Sequence, residues 1–212
     1  MQLFGYFRSS AAYRVRIALN LKGLHAEHLS VHLRRGEQSG DAYLALNPAG
    51  LVPLLRDGPH EISQSLAIVE YLEELHPEPP LLPQAPADRA WVRALALTIA
   101  CDIHPLNNLR VLNYLGSEFS LDAAARDRWY QHWIARGLSG LERILSRDPR
   151  VGTFCFGDMP GLAEVCLVPQ IYNAERFRCD LAPYPTVCRI VAAARSLPAF
   201  EEALPERQAD AD

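Results

Sequence analysis

The spacing of hydrophobic positions changes near residue 77, and this change divides the chain in two. Before it, apolar runs of strand length alternate with segments of helical period. The run Leu3–Phe7 predicts a strand, and the alternation of apolar and polar positions over residues 28–33 predicts a second, half-buried strand. After residue 77, every segment with a clear period is helical. We therefore predict an α/β part followed by an all-α part.

The first part has the predicted order βαβαββα. Helices are predicted from Ala11 to Leu21 and from Ala42 to Leu46, each after one of the first two strands. Leu51–Arg56 and His60–Ser63 follow as a hairpin, and a last helix ends before Pro77. This order, with a proline immediately before a core strand, is the arrangement of the thioredoxin-like fold.

A proline-rich stretch separates the two parts and predicts domains of residues 1–80 and 87–212. The second domain opens with a predicted helix from Asp88 to about Tyr114, kinked at Pro105. The further predicted helices are Leu121–Leu145, Leu162–Arg178 and Tyr184–Arg195. The acidic tail from Glu201 is expected to be poorly ordered.

Composition and charge argue against nucleic-acid binding, membrane insertion and cysteine-based structural sites. Lys and Arg number 21 against 25 Asp and Glu, for a formal charge of −4, which disfavours nucleic-acid binding but allows a small anionic ligand. No uncharged apolar run approaches the roughly 18 residues of a membrane span, and the N-terminus lacks a signal-peptide core, so we expect a cytoplasmic protein without membrane contact. The five cysteines include no CxxC motif, which disfavours disulfides and structural zinc, and no metal is implied.

Two junctions of the first part carry candidate binding chemistry. A cis peptide at Val52-Pro53 would free backbone groups of the preceding residue for an extended peptide ligand, and we favour it over an ordinary trans proline at a strand start. Gln64-Ser65 lies at a strand-to-helix junction, where Ser65 can cap the helix and the helix N-terminus can bind an anion. Capping alone is the simpler alternative.

The first strand-to-helix turn holds serines where a thioredoxin has its reactive cysteines. Cysteine redox chemistry is therefore excluded at this turn. The hydroxyl of Ser9 or Ser10 can donate a hydrogen bond to a bound thiolate, assisted by the helix N-terminus. The alternative is that one of these serines only caps the helix.

Four motifs together resemble the zeta class of glutathione transferases, the group that contains the maleylacetoacetate and maleylpyruvate isomerases. The motifs span both parts, and they are Ser9–Leu19, Asn47–Leu54, Gln64–Ile68 and Cys101–Asn108. The resemblance implies a glutathione transferase architecture, a thioredoxin-like domain followed by an all-helical one, with glutathione as cofactor. Ala11 and Ala49 depart from the family pattern, which removes two side chains that would assist glutathione binding or activation.

The resemblance also implies roles for individual residues. The residues implied in catalysis are Ser9, which would steady the glutathione sulfur as thiolate, with Ser10 and Arg8 beside it. Those implied in glutathione binding are Val52, Pro53, Gln64, Ser65, Asp102, His104 and Asn108. Asp102 would act across a homodimer, and Asn108 is expected on the same helix face as His104.

Arginines are the implied ligands of the substrate carboxylates, namely Arg8, Arg110 and Arg176. From the sequence pattern alone, a solvated helix face or a salt bridge is the usual fate of Arg110 and Arg176, and a backbone hydrogen bond is the alternative for His104.

The activity that the resemblance implies is glutathione-dependent cis–trans isomerisation of a small dianionic keto acid, maleylacetoacetate. Maleylpyruvate isomerisation and conjugation or dehalogenation of small α-halo acids use the same thiolate and anion site, so they remain alternatives. A non-catalytic interaction module is less favoured, because a scaffold does not require Ser9, Pro53, Gln64 and Ser65 together.

Overall fold

The computed structural model describes residues 1–211, which form two compact units. The first unit combines Met1–Leu81 with the C-terminal residues from Ser196 onward, and the second comprises Leu82–Arg195. The first unit therefore draws on both ends of the chain.

A four-stranded mixed sheet is the centre of the first unit. Its strands are β1 (Gln2–Gly5), β2 (Glu27–Ser30), β3 (Leu54–Asp57) and β4 (His60–Ser63), in the order β2-β1-β3-β4. β1 pairs in parallel with β2, because the crossover helix α1 (Ser10–Leu21) lies between them in the chain, and the other pairs are antiparallel. With α2 (Asp41–Leu44) and α3 (Ser65–Leu75), the predicted order βαβαββα is confirmed.

The second unit is helical. Its α-helices are α4 (Pro86–Leu97), α5 (Leu109–Glu118), α6 (Ala123–Leu145), α7 (Leu162–Arg176) and α8 (Pro185–Arg195). The predicted all-α character is confirmed, and the bounds of α6, α7 and α8 lie within a few residues of the predicted ones. Over residues 1–211 there is no helix with both the length and the apolar character needed to cross a bilayer.

The prediction of a single kinked helix from Asp88 to Tyr114 was wrong. After α4 the chain widens into a π-helix at Thr98–Ile103 and tightens into a 3₁₀-helix at His104–Asn107 before α5 begins. Pro105 has no N–H to donate within a helix, and the extended backbone of Asn108 (φ −65°, ψ 145°) starts a new helix. The segment is thus broken rather than bent.

The expectation of a poorly ordered acidic tail was also wrong. Residues 196–211 contain the short helix α9 (Pro198–Glu201) and a 3₁₀ turn at Pro205–Arg207. Phe200 and Ala203 are buried, and Asn20 Nδ2 of α1 donates to the Ala199 carbonyl at 2.9 Å. The tail therefore belongs to the first unit, whereas the predicted domain 87–212 placed it with the helical part.

Candidate active site

The turn between β1 and α1 places Ser9 at the N-cap of α1. Ser9 Oγ accepts a hydrogen bond from the Ala12 amide at 3.2 Å, and the Ser9 amide donates to the Tyr6 carbonyl at 2.9 Å. A hydroxyl has two acceptor lone pairs and one O–H donor. The cap uses the acceptor side only, so it does not consume the O–H that a bound thiolate would require.

The neighbours of Ser9 differ from it in their surroundings. Ser10 is the first residue of α1 and only 6% exposed, so Ser9 has the hydroxyl more accessible to a ligand. The Arg8 guanidinium lies 4.7 Å from the centre of the Phe7 ring, a cation–π contact that orients this cation within the turn.

The Val52-Pro53 peptide bond is cis, as predicted. β3 begins at Leu54 and its register with β1 starts at the pair Phe4–Leu54, so Val52 lies outside the paired residues. The loop before it is fixed by two side chains, because Tyr43 Oη and Asn47 Nδ2 each donate to the Leu51 carbonyl at 2.7 Å.

Tyr43 and Asn47 were not predicted as site-supporting residues. Burial raises the pKa of the Tyr43 phenol, which keeps its O–H as a donor to the loop. The contact of Asn47 with the Leu51 carbonyl depends on the folded loop, so no local sequence pattern shows it.

The junction of β4 and α3 is conformationally strained at Gln64. Gln64 has φ 70° and ψ 117°, a backbone conformation that costs a non-glycine residue on the order of 1–3 kcal/mol and persists only where the fold enforces it. α3 starts at the next residue, so its first unpaired N–H groups and positive end adjoin Gln64. The predicted strand-to-helix junction is therefore present, and anion binding at it stays a prediction.

Ser65 does not cap α3, contrary to the prediction. It is the first helical residue rather than the N-cap, and its buried Oγ accepts a hydrogen bond from Arg14 Nη1 at 3.2 Å. Arg14 is only 2% exposed and projects from α1. A buried cation thus supports the anion-binding end of α3, and its one signal in the sequence was an arginine inside the apolar face of α1.

The residues of the second unit are placed as follows. Asp102 is exposed in the π-helical segment, and His104 begins the 3₁₀ turn with its side chain half-buried. Asn108 Oδ1 accepts a hydrogen bond from the Arg110 amide at 3.1 Å and so caps α5. The expectation that Asn108 and His104 share one helix face was therefore wrong, because the helix ends between them.

Arg176 is the last residue of α7 and is exposed. Its guanidinium lies 5.8 Å from the centre of the Phe177 ring, and Phe177 stacks on Tyr130 with ring centres 3.5 Å apart. Gln131 Nε2 donates to the Phe177 carbonyl at 2.9 Å, which fixes the end of the helix. Burial raises the pKa of the Tyr130 phenol above its usual value.

Over residues 1–211, no three His, Cys, Asp or Glu side chains lie together so that they could hold a metal ion. All five cysteines are free thiols. The candidate residues described above present hydroxyls, amides, helix ends and arginines, which are groups that bind carboxylates and stabilise thiolates.

Comparison with known proteins identifies the family. Residues 3–80 match the model of the glutathione S-transferase N-terminal domain. A probable maleylacetoacetate isomerase of Vibrio cholerae is 53% identical over 211 residues, 99% of this chain and 97% of that one. A solved maleylpyruvate isomerase, described as a zeta-class bacterial glutathione S-transferase, matches with a TM-score of 0.99 at 47% identity, covering 100% of both chains. The chain belongs to the zeta class of glutathione transferases.

Another similar structure was solved with ligands. The maleylacetoacetate isomerase of Methylobacterium extorquens AM1, with bound malonate and glutathione, has a TM-score of 0.97 and 41% identity to this zeta-class chain, with 100% of both chains covered. That structure holds a dicarboxylate and glutathione together.

Proposed function

We propose that this protein is a glutathione-dependent cis–trans isomerase that converts maleylacetoacetate to fumarylacetoacetate. The observation that carries the proposal is the β1–α1 turn, where Ser9 caps α1 and retains its hydroxyl donor. The same unit holds Val52 before a cis proline and the strained Gln64 at the start of α3. The full-length similarity to the Vibrio cholerae relative, itself named a probable maleylacetoacetate isomerase, supports the substrate class.

The first unit fits glutathione at three points. We assign the backbone of Val52 to the cysteinyl part of an extended tripeptide, supported by its position beyond the β1–β3 register. Gln64 and Ser65, at the N-terminal end of α3, suit the γ-glutamyl carboxylate. Ser9 Oγ and the positive end of α1 suit the sulfur as thiolate.

The remaining glutathione contacts are assigned by analogy with the family. We propose that the protein is a homodimer and that Asp102 of a second copy binds the glutathione amine, consistent with its exposure in this chain. The α5 cap uses the Asn108 oxygen but not its amide nitrogen, so Asn108 stays with Asp102 and His104 among the proposed glutathione contacts of this segment. A cytoplasmic location is part of the proposal.

When bound, glutathione supplies a thiolate that adds reversibly to the conjugated cis double bond, so that the resulting single bond rotates before the thiolate is expelled and glutathione is returned. Ser9 holds a hydrogen bond to the sulfur and keeps it ionised. Arg8, Arg110 and Arg176 bind the substrate carboxylates and stabilise negative charge that develops on the substrate. Both Arg110 and Arg176 are exposed in the chain and available to a ligand.

Maleylpyruvate isomerisation is the second candidate. A maleylpyruvate isomerase of Ralstonia is 48% identical over 210 residues, and a solved maleylpyruvate isomerase covers 100% of this chain at 47% identity. The two substrates share the maleyl double bond and differ in the group beyond it, so both require the same thiolate chemistry.

The test uses the purified protein with maleylacetone, an analogue of maleylacetoacetate, or maleylpyruvate, with and without glutathione. Ultraviolet absorbance follows the double bond, and a thiol reagent follows free glutathione. Glutathione-dependent isomerisation with the thiol conserved is the expected result, and relative rates rank the two substrates. Loss of free thiol would identify a conjugating transferase instead, and no reaction with either substrate would reject the proposal.

A pair of arginine variants tests substrate binding within this assay. Loss of charge-assisted hydrogen bonds in Arg176→Ala should raise KM for the maleyl substrate by roughly 10- to 100-fold, with a smaller effect on kcat. Arg147→Ala removes another exposed arginine of the second unit and is the matched control. Equal effects of the two substitutions would remove Arg176 from the site.

A further inference from the structure

The C-terminal segment, residues 196–211, contacts the turn that carries Ser9. Asp210 Oδ2 accepts a hydrogen bond from the Phe7 amide at 3.1 Å and another from Ser30 Oγ at 3.1 Å. Phe7 and Arg8 are the two central residues of the turn that the hydrogen bond from the Ser9 amide to the Tyr6 carbonyl closes. A side chain from the far end of the sequence therefore binds the backbone at the centre of this turn.

The carbonyl of Phe7 is connected to the same segment through Arg16. Arg16 Nη2 donates to the Phe7 carbonyl at 2.9 Å, and Arg16 Nε donates to the Ala203 carbonyl at 3.1 Å. Arg16 is only 4% exposed, so its geometry is fixed by burial. Both backbone polar groups of Phe7 are thus bound, one directly by Asp210 and one by an arginine that also binds the C-terminal segment.

The position of Phe7 affects the positions of its neighbours in the turn. The Phe7 ring packs edge-on against Tyr6 with centres 4.7 Å apart, and the Arg8 guanidinium lies 4.7 Å from the Phe7 ring. Ser9 is two residues further along the same turn. A displacement of Phe7 would therefore displace both the Arg8 cation and the Ser9 hydroxyl.

We propose that Asp210 is a positioning residue for Ser9 and Arg8, and that the C-terminal segment forms part of the structure that activates glutathione. This inference rests on the proposed function, because it assigns the Ser9 hydroxyl to the glutathione thiolate. Asp210 Oδ2 is hydrogen-bonded to the Phe7 amide and Ser30, so we assign Asp210 a positioning role and not a catalytic one. It acts by fixing the turn with charge-assisted hydrogen bonds, which are stronger than neutral ones.

The test compares Asp210→Ala, Asp210→Asn and the control Glu202→Gln in the full chain. Glu202 is an exposed carboxylate of the same segment. Three quantities are measured: hydrogen exchange of the Phe7 amide, the thiolate absorbance of bound glutathione at fixed pH, and kcat and KM for the maleyl substrate. A small misplacement of a catalytic group lowers turnover steeply, so we expect Asp210→Ala to lower kcat roughly tenfold with KM for the maleyl substrate little changed.

The expected pattern also includes faster Phe7 exchange and a weaker thiolate band in Asp210→Ala. Asp210→Asn, which keeps an acceptor oxygen for the Phe7 amide, should restore much of both signals, and Glu202→Gln should match the unmodified protein. If Asp210→Ala does not fold, an Asp210→Asn variant with a normal thiolate band and with Phe7 exchange as slow as in the unmodified protein supports the inference. An Asp210→Asn variant with a lost band but protected Phe7 amide overturns it.

The two proposals fail in different ways. An unmodified protein that binds glutathione without any thiolate band would reject the proposed function. A normal band in the unmodified protein that persists in folded Asp210→Ala, despite faster Phe7 exchange, would overturn the positioning role alone.

Discussion

A buried ion pair at the end of α1 provides a prediction with a matched control. Lys22 Nζ lies 2.7 Å from Glu73 Oε2, and it also donates to the carbonyls of His76 at 2.6 Å and Pro79 at 3.0 Å. An ammonium group has three donors, and each has an acceptor here. The Glu73 carboxylate in turn accepts from the Leu81 amide. Replacing Glu73 by glutamine removes its charge while keeping its size.

The burial of Lys22 and Glu73 determines how much stability Glu73→Gln should lose. The Lys22 side chain is 0% exposed and that of Glu73 8%, so water screens their attraction weakly. At 2.7 Å and an effective dielectric constant of 20 the attraction is about 6 kcal/mol, most of which offsets the desolvation of the two charges. Removing one partner leaves the other charge buried and uncompensated. We therefore expect Glu73→Gln to lower the free energy of unfolding by about 3–5 kcal/mol.

The control is the exposed pair Arg56–Glu61. Its nitrogen–oxygen distance is also 2.7 Å, but its side chains are 32% and 37% exposed. Exposed ion pairs contribute about 0–1 kcal/mol, so Glu61→Gln should have little effect. The comparison holds distance constant and varies burial.

The assay is urea unfolding followed by far-ultraviolet circular dichroism. The three tryptophans, Trp91, Trp129 and Trp133, all lie in the second unit, so their fluorescence reports separately on that unit. Glu73→Gln should shift the circular dichroism transition far more than Glu61→Gln does. Equal small shifts for the two variants would show that burial does not make the Lys22–Glu73 pair important, and would refute the reasoning.

Three further predictions concern single residues. Both Ser9→Ala and Ser9→Asp should raise the pKa of the bound glutathione thiol, measured by thiolate absorbance, because neither keeps the hydroxyl donor. Only Ser9→Ala also loses the helix cap and about 1 kcal/mol of stability. An unchanged thiol pKa in both variants would exclude Ser9 from the mechanism. Gly137→Ala should lower the free energy of unfolding, measured by thermal unfolding, by roughly 1–3 kcal/mol, since its Cβ would lie 2.3 Å from the fully buried Ile103 side chain. The control Gly140→Ala should be neutral or stabilising, because its Cβ would have nothing within 4 Å. Burial raises the pKa of Glu164 above its usual 4.5, so the folded state holds this proton more tightly than the unfolded state. Stability should then fall as pH rises through this titration, and Glu164→Gln should remove that part of the pH dependence, which unfolding at several pH values would measure.

The sequence predicted the features of the fold that depend on local pattern. The strand and helix order of the first unit was predicted correctly, because each element follows from a short run of residues. The cis bond at Val52-Pro53 was also predicted correctly, but from that surrounding order of elements, because the dipeptide alone does not distinguish cis from trans. The break between α4 and α5 was not predicted. Ile99 and Ile103 are 1% and 0% exposed inside the π-helix, so the apolar spacing continues through the break and imitates one helix.

The other features that the sequence did not predict depend on contacts between residues far apart in the chain. Arg14 and Ser65 are 51 positions apart, and Phe7 and Asp210 are 203 apart, so no local pattern links them. The acidic composition of the tail from Glu201 predicted disorder, but Ala203 within it is buried. The choice between Ser9 and Ser10 also depended on a backbone geometry that adjacent serines do not reveal.

The left-handed backbone of Gln64 has a consequence for engineering this protein. Glycine adopts φ 70° without steric cost, so Gln64→Gly would relieve the strain, offset by the greater freedom that glycine gives the unfolded chain. The same substitution deletes the amide that we assign to glutathione. Selection for heat resistance alone would act on this position without regard to ligand affinity, so a thermostabilised version should be designed with Gln64 held fixed.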